Sequence, residues 1–460
     1  MTPTSSPVHP AGWLSLDDLA AEVKSGRIDT VLVGMTDMQG RLQGKRTEAH
    51  YFLDEIVPNA AEGCNYLLAV DVDMNTVDGY AIASWDLGYG DFVLRPDLST
   101  LRRVPWHEGT AFCVADVVTS GGEEVTPSPR QVLRRQLQKL ADLGYRAYVG
   151  TELEFIVFRE TYEQAWSAAY RHLTPANFYN VDYSLLGTGR IEPLLRRIRL
   201  EMAGAGMLVE SAKGECNYGQ HEIAFRYLEA LAKADEHSLF KTGAKEVAAQ
   251  EGHSLTFMAK FNEREGNSCH IHFSLRDLAD HPVFSTGSGH GHSAVFDHAL
   301  AGMLVTLQDL TLFLAPNINS YKRYVEGSFA PTAIAWGHDN RTCAFRIVGH
   351  GDALRVECRV PGGDVNPYLA ISALVAGAIH GIVGELSLEA EFEGNAYVSD
   401  KPRVPSTMRD ALSRFTTSAF ARSAFGDDVV DHYTNFARVE LAAYDAAVTD
   451  WERFRGFERL

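Results

Sequence analysis

Three short segments carry side chains that ordinary protein core does not accept. In TELEF (151–155) Glu152 and Glu154 flank Leu153, in CHIHF (269–273) His270 and His272 flank Ile271, and in VECRV (356–360) Glu357 and Arg359 flank Cys358. Residues two apart on a strand share a face. Each segment therefore predicts a strand with one apolar face and one charged face. Taken singly, an E-x-E reads as a solvated strand edge and an H-x-H as a structural pair. Together with Glu215 and Glu222 in GECNYGQHEI (214–223), they supply five carboxylates and an imidazole on apolar backgrounds. Unpaired buried charge costs several kcal/mol, so such a face needs counter-charge. Carboxylates with one imidazole suit Mg2+ or Mn2+ better than zinc, and more than four acidic ligands point to two or more ions and to phosphate chemistry. Five arginines then fall within 37 residues: Arg323, Arg341, Arg346, Arg355 and Arg359. They read as an oxyanion clamp or, alternatively, as structural salt bridges.

The remainder of the chain must position these groups. It has 460 residues and a net charge of −18, which argues against nucleic acid or an anionic membrane as the main partner. Six scattered cysteines without C-x-x-C spacing read as reduced thiols. The first residues show no signal peptide, and the uncharged run Val365 to Gly384 reads as a buried helix, so a soluble cytoplasmic protein is expected. Residues 1–12 read as loose, 14–26 as a helix, Thr30–Thr36 as a strand ending at Asp37, and 120–129 as a domain boundary. Ser128, Pro129 and Gln131 predict a capped helix start, continued by Leu133, Leu137 and Leu140 and ended by Gly144. Further helices are expected at 191–206, 229–250, 294–314, 367–384 and 406–422. The His-x-His in TGSGHGH (286–292) reads as a flexible polar loop, not a metal site.

The motifs TDMQG (36–40), GTELEF (150–155), GECNYGQHE (214–222), EGNSCHIHFSL (265–275), NSYKR (319–323), DNRTCAFR (339–346) and RVECRVPGGDVNPY (355–368), in this order, resemble the glutamine synthetase family. The resemblance implies an α+β chain: a small N-terminal β-grasp domain, residues 1–122, and a large catalytic domain, 123–460, of antiparallel sheet with helices. It implies a homo-oligomer, a dodecamer of two hexameric rings with sites between neighbouring subunits. It implies ATP, L-glutamate and two or three Mg2+ or Mn2+ ions at each site. Glu154, Glu215 and Glu222 match the ligands of one ion, and Glu152, His270 and Glu357 those of another. Arg323, Arg359 and Gly266 match the glutamate site. Arg341, Arg346 and Arg355 match nucleotide and phosphate contacts, and Tyr227, His272 and Ser274 match positions around the nucleoside. Asp37 matches an acidic residue contributed by a neighbouring subunit near the nucleophile.

One position departs from the family. Six residues beyond the NSYKR arginine, ammonia-using members carry a flap glutamate, and here Phe329 stands there. An aromatic cannot hold ammonium through a carboxylate but can line a slot for a carbon chain. Glu326 has the wrong offset to replace it. Tyr397 lacks the context of an adenylylated tyrosine. The expectation is an ATP-dependent ligase joining glutamate to a primary organic amine, ethanolamine ahead of a polyamine. A protonated amine would give its proton to Asp37. The rivals are a glutamine synthetase using ammonia, a non-catalytic scaffold of the same fold, and a phosphagen-type kinase.

Overall fold

A computed structural model describes residues 12–287 and 291–460. The readings of residues 1–11 and of His290 lie outside them.

The N-terminal part is a mixed sheet. Its strands are β1 (Thr30–Thr36), β2 (Leu42–Glu48), β3 (Ala61–Cys64), β4 (Asp91–Pro96), β5 (Arg102–Arg103) and β6 (Thr110–Val118). The order is β2-β1-β6-β4-β3, with β5 also on β6. β1 and β2 form an antiparallel hairpin, whereas β1 and β6 run parallel. Parallel strands need a crossover connection. Here it includes a helical stretch, 49–59, which buries Ala49, Phe52 and Ile56. A hairpin, a crossing helix and a parallel central pair make the β-grasp arrangement.

The second sheet holds β7 (Tyr145–Phe158), β8 (Val209–Gly214), β9 (Gln220–Phe225), β10 (Leu228–Glu229), β11 (Ser254–Thr256), β12 (Cys269–Asp277), β13 (Ala333–His338), β14 (Cys343–Val348) and β15 (Arg355–Cys358). Its order is β13-β14-β15-β12-β7-β9-β8, with β10 and β11 on β7. All pairs are antiparallel except β13 with β14. The fold is therefore α+β, and one apolar core runs through both parts.

Helices cover the apolar face. The uncharged run forms a buried helix, Pro367–Val383, and it crosses the helix Ala294–Leu314 at glycines. A Cβ on Gly302 would lie 2.1 Å from the Gly377 carbonyl oxygen, so only glycine permits this approach. Among the described residues no helix is long and apolar enough to cross a membrane.

Two local expectations change. The helix Pro129–Asp142 starts after Ser128, but the serine side chain makes no capping bond, and Gln131 is buried with its Oε1 unpartnered. Tertiary packing holds this start instead: Ser128 to Leu133 are all buried. Arg130 reaches Asp235 at 2.9 Å, Asp97 at 2.8 Å and Asp116 at 2.5 Å, and the Tyr368 hydroxyl donates to Asp235 at 2.6 Å. The stretch 406–422 is two helices, Met408–Thr417 and Ala419–Phe425. Ser418 is extended between them, accepting from the Ala421 N–H at 3.0 Å and donating to Asp309 at 2.6 Å. A serine satisfied this way favours a new N-cap over helix interior.

Candidate active site

Strand register assembles the charged groups. Glu152 of β7 lies opposite His270 of β12, and Glu154 lies opposite Glu222 of β9. His272 lies opposite Glu357 of β15, which lies opposite Arg346 of β14. The alternate residues Leu153, Phe155, Ile271 and Cys358 are buried in the core. Period-two alternation thus lays one charged surface across five strands.

On that surface His270 Nδ1 sits 3.3 Å from Glu152 and 3.6 Å from Glu357, and its Nε2 is buried without a partner. His272 Nε2 is 2.8 Å from the other Glu152 oxygen. Arg359 and Arg346 donate to the two oxygens of Glu357 at 2.5 and 2.8 Å, and Arg346 also holds Asp339. Glu154 accepts from the Ser268 N–H at 2.7 Å and from Gln220 at 3.1 Å. The Lys213 ammonium contacts Glu215 and lies 3.8 Å from Glu222.

The electrostatics divide the cluster. Burial would raise the Glu152 carboxyl, but bonds from His270 and His272 hold it well below the usual range. Glu357 is likewise lowered, its burial outweighed by His270, Arg359, His272 and Arg346. Burial, then Arg359, lowers His270. Glu222 goes the other way: burial and the Glu152 charge push it up to about 8. A carboxylate displaced upward among other carboxylates is short of positive charge.

Ligand atoms of Glu154, Glu215 and Glu222 fall within 4.8 Å of one another, as do those of Glu152, His272 and Glu357. The donor set is oxygen-rich with imidazole, the orphaned His270 nitrogen is available, and Lys213 already places a cation among the first three. The residues therefore fit hard divalent ions. Both histidines reach Glu152, and the atoms grouped within 4.8 Å include His272 where the resemblance implies His270.

Two cavities share Glu152. The smaller, about 310 Å³, is lined by the six carboxylate and imidazole ligands named from sequence, with Lys213, Gly266, Phe329, Arg341, Arg346 and Arg359. The larger, about 580 Å³, is lined by Tyr148, Gly150, Tyr227, His272, Ser274, Arg276 and Arg355. The Arg276 guanidinium lies over the Tyr148 ring at 4.4 Å and donates to the Tyr227 hydroxyl at 3.0 Å. Arg355 Nε is 3.2 Å from His272 Nδ1. An aromatic and guanidinium platform beside an anion-binding floor suits a nucleotide.

Comparison with known proteins decides the family. The model for the glutamine synthetase catalytic domain matches residues 126–455. The chain belongs to the glutamine synthetase family. Among glutamine synthetase relatives, it is 64% identical over 447 residues to the gamma-glutamylethanolamide synthetase GlnA4 of Streptomyces coelicolor, covering 97% of this chain and 96% of that one. It is 37% identical over 439 residues to a glutamate–isopropylamine ligase of a Pseudomonas species, covering 94% and 96%. A solved structure described as a GmaS/ADP complex superposes with a TM-score of 0.84 at 27% identity, covering 96% of this chain and 99% of that one. The chain is an enzyme of the ligase class, and its family uses ATP and divalent metals.

Several residues named from sequence stand elsewhere in this glutamine synthetase fold. Asp37 is a correction. Its side chain is fully buried, with one oxygen accepting from the Gln39 and Arg41 N–H groups at 3.0 and 2.9 Å. The other accepts from Arg41 Nε at 2.7 Å and Gln43 at 3.1 Å. It builds the turn after β1 and has no oxygen left for an amine. Arg323 lies beneath the smaller cavity and not on its wall, donating to the Val360 and Arg359 carbonyls at 2.9 and 3.1 Å. Gly266 fits against it: a Cβ there would meet Arg323 Cγ at 2.3 Å. Phe329 is on the wall, 55% exposed, with φ +59°, a conformation costly for an aromatic residue. Glu326 is not part of that wall. The Tyr397 hydroxyl is turned inward, donating to the Ala330 carbonyl at 3.0 Å.

Sequence reasoning missed Tyr148, Arg276, Lys213, Gln220 and Asp182. Two of them were within reach. Counting by twos back from Glu152 passes Gly150 to Tyr148, and counting on from His272 passes Ser274 to Arg276.

Proposed function

We propose that the chain forms a γ-glutamyl amide from L-glutamate, ATP and a small primary amine, with ethanolamine favoured. The observation that carries this reading is the acceptor side of the smaller cavity, where the flap presents Phe329 and no carboxylate. The names of the two curated relatives, an ethanolamide synthetase and an isopropylamine ligase, support it.

In this reading the larger cavity takes the nucleotide, with Tyr227, His272, Ser274 and Arg355 around the nucleoside. The smaller takes glutamate beside Gly266 and Arg359, over the buried Arg323. Glu152, His270 and Glu357, with Glu154, Glu215 and Glu222, would hold two or three Mg2+ or Mn2+ ions, whose charge would offset that of phosphates approaching a carboxylate. A γ-carboxylate oxygen of glutamate bonds to the terminal phosphorus of ATP, and ADP leaves. Arg341 and Arg346 face the transferring phosphoryl oxygens as fixed cations. The amine nitrogen then attacks the acyl carbon and phosphate departs. Asp182, exposed at the cavity rim, takes the place first read for Asp37 as acceptor of the amine proton. Closure of the flap over Phe329 excludes water from the acyl phosphate.

The same reading divides the chain into an N-terminal domain, 1–122, and a catalytic domain, 123–460, assembled as a dodecamer in the cytoplasm. Large apolar side chains left exposed in the single chain support assembly: Tyr183, Leu185 and Leu186 beside the rim, and Trp451, Phe454 and Phe457 near the C-terminus. All six cysteines are free thiols. The test is phosphate release with glutamate, ATP, Mg2+ and a panel of ammonium, ethanolamine, isopropylamine and putrescine. Ethanolamine is expected to exceed ammonium in kcat/KM by at least about tenfold, roughly 1.4 kcal/mol. A preference for ammonium overturns the proposal.

A further inference from the structure

The flap that carries Phe329 is held from behind the cavity it faces. Residues 325–330 include two left-handed positions, Gly327 at φ +78° and Phe329 at φ +59°. An aromatic residue stays in that conformation only where its surroundings fix it. The Phe329 ring does not fix itself, being more than half exposed. Polar contacts to the flap backbone do so instead. The Ser328 hydroxyl lies 2.6 Å from the Val325 carbonyl oxygen and 3.1 Å from that of Arg323. Arg359 reaches the Phe329 carbonyl at 3.4 Å, a long contact. The next carbonyl is better served: the Tyr397 hydroxyl donates to Ala330 at 3.0 Å. Ala330 is buried, so water would not readily replace that donor.

Tyr397 is in turn fixed by another part of the site. It lies in the short helix Ala396–Val398, whose N-cap, Asn395, accepts from the Tyr397 N–H at 3.0 Å. The backbone around that cap is tied to the loop between β13 and β14. The Asn340 amide donates to the Gly394 carbonyl at 2.9 Å, and the Ala396 N–H donates to the Thr342 hydroxyl oxygen at 2.9 Å. Asn340 and Thr342 flank Arg341, which lines the smaller cavity. A bonded path therefore leads from Arg341 to the flap through residues 394–397, and its last link is one hydroxyl. Burial raises the Tyr397 pKa, so that hydroxyl keeps its proton at neutral pH and remains a donor.

We propose that Tyr397 is a positioning residue for the acceptor: it holds the flap so that Phe329 walls the smaller cavity, and it ties that flap to the loop carrying Arg341. The inference rests on the reading of Phe329 as a wall for the carbon chain of the amine. A wall fixed before the amine arrives lowers the entropy cost of binding it. Phosphate oxygens seated on Arg341 would steady residues 339–342 and, through residues 394–397, the flap.

The test is Tyr397→Phe, which removes a single oxygen. Thermolysin cleavage before Phe329, followed by mass spectrometry on the full protein without substrates, should quicken at least about tenfold, with cleavage elsewhere unchanged. KM for ethanolamine should rise about tenfold while KM for ATP stays within about twofold. In a Phe329→Ala background the same change should leave KM for ethanolamine nearly unaltered, because the hydroxyl acts through that ring. Should Tyr397→Phe fold poorly by circular dichroism, Thr342→Val loosens the tether from its other end, and faster cleavage before Phe329 is again expected. Equal cleavage in the wild type and a folded variant overturns the proposal. So does a fall in kcat with every KM unchanged, which is the mark of a general structural loss. A wild type that prefers ammonium defeats the amine reading instead, and cleavage before Phe329 then decides the tether alone.

Discussion

Two regions of this molecule bury clusters of charge, and they solve the problem in opposite ways. Beneath the first sheet, Arg130 is surrounded by Asp97, Asp116 and Asp235, each within 2.9 Å, with Arg134 adding a 2.8 Å bond to Asp97. Burial alone would lower the Arg130 pKa, but Asp235 and Asp116 raise it. Every charged side chain there has an opposite charge within the chain. In the smaller cavity seven acidic side chains face four basic ones. Its arginines concentrate on Glu357, so Glu154, Glu215 and Glu222 depend on Lys213 and on ligands from outside. A cluster closed on itself holds the fold together, whereas one left short of cations is built to receive them.

The largest effect expected from breaking this contrast is at Arg130. Arg130→Ala leaves the buried Asp235 without its guanidinium and Asp97 and Asp116 with Arg134 alone, and should cost about 3–5 kcal/mol in urea denaturation. A loss below about 1 kcal/mol would place the cluster among ordinary surface pairs. Glu222→Gln keeps the shape of the cavity cluster and removes one charge. It should lower kcat/KM at least about 100-fold, roughly 2.7 kcal/mol, while the metal-free protein melts no lower than the wild type. A variant with normal turnover would remove Glu222 from the catalytic set.

Phe329→Glu sharpens the comparison at the cavity mouth by adding the carboxylate that the flap lacks. The ethanolamine-to-ammonium ratio of kcat/KM should fall about tenfold, near 1.4 kcal/mol. An unchanged ratio means that Phe329 only packs the flap. The gentlest probe is pH. Glu222 titrates near 8 in the metal-free fold, above its ordinary 4.5. Between these values the folded state binds the extra proton, so this group's contribution to stability is full below about 4.5 and is lost as pH rises through 8. Metal-free wild type and Glu222→Gln should therefore be similar near pH 4.5 and diverge toward pH 8.5, the variant being the more stable. Parallel pH curves for the two proteins would contradict the assignment.

Much of the site was legible because strand alternation is local. Glu152, Glu154, His270, Glu357 and Arg359 announce themselves by a polar residue at every second place on an apolar background, whatever the strand pairs with. The helix Pro367–Val383 was legible from its uncharged run for the same reason. Helix ends were less so: Ser418 breaks the stretch 406–422 because Asp309, over a hundred residues away in sequence, accepts its hydroxyl hydrogen bond.

The amino-acid order by itself determined which faces are charged, the run of family motifs and the aromatic at position 329. Only the tertiary structure decided which charges meet. The register that sets Glu152 against His270 and Glu154 against Glu222 pairs strands far apart along the chain, and a shift of one residue would turn those side chains into the core. Asp37 shows the limit most clearly. Its motif suggests a reacting carboxylate, yet Arg41 and Gln43 occupy it, because a carboxylate's availability depends on the donors that folding places around it.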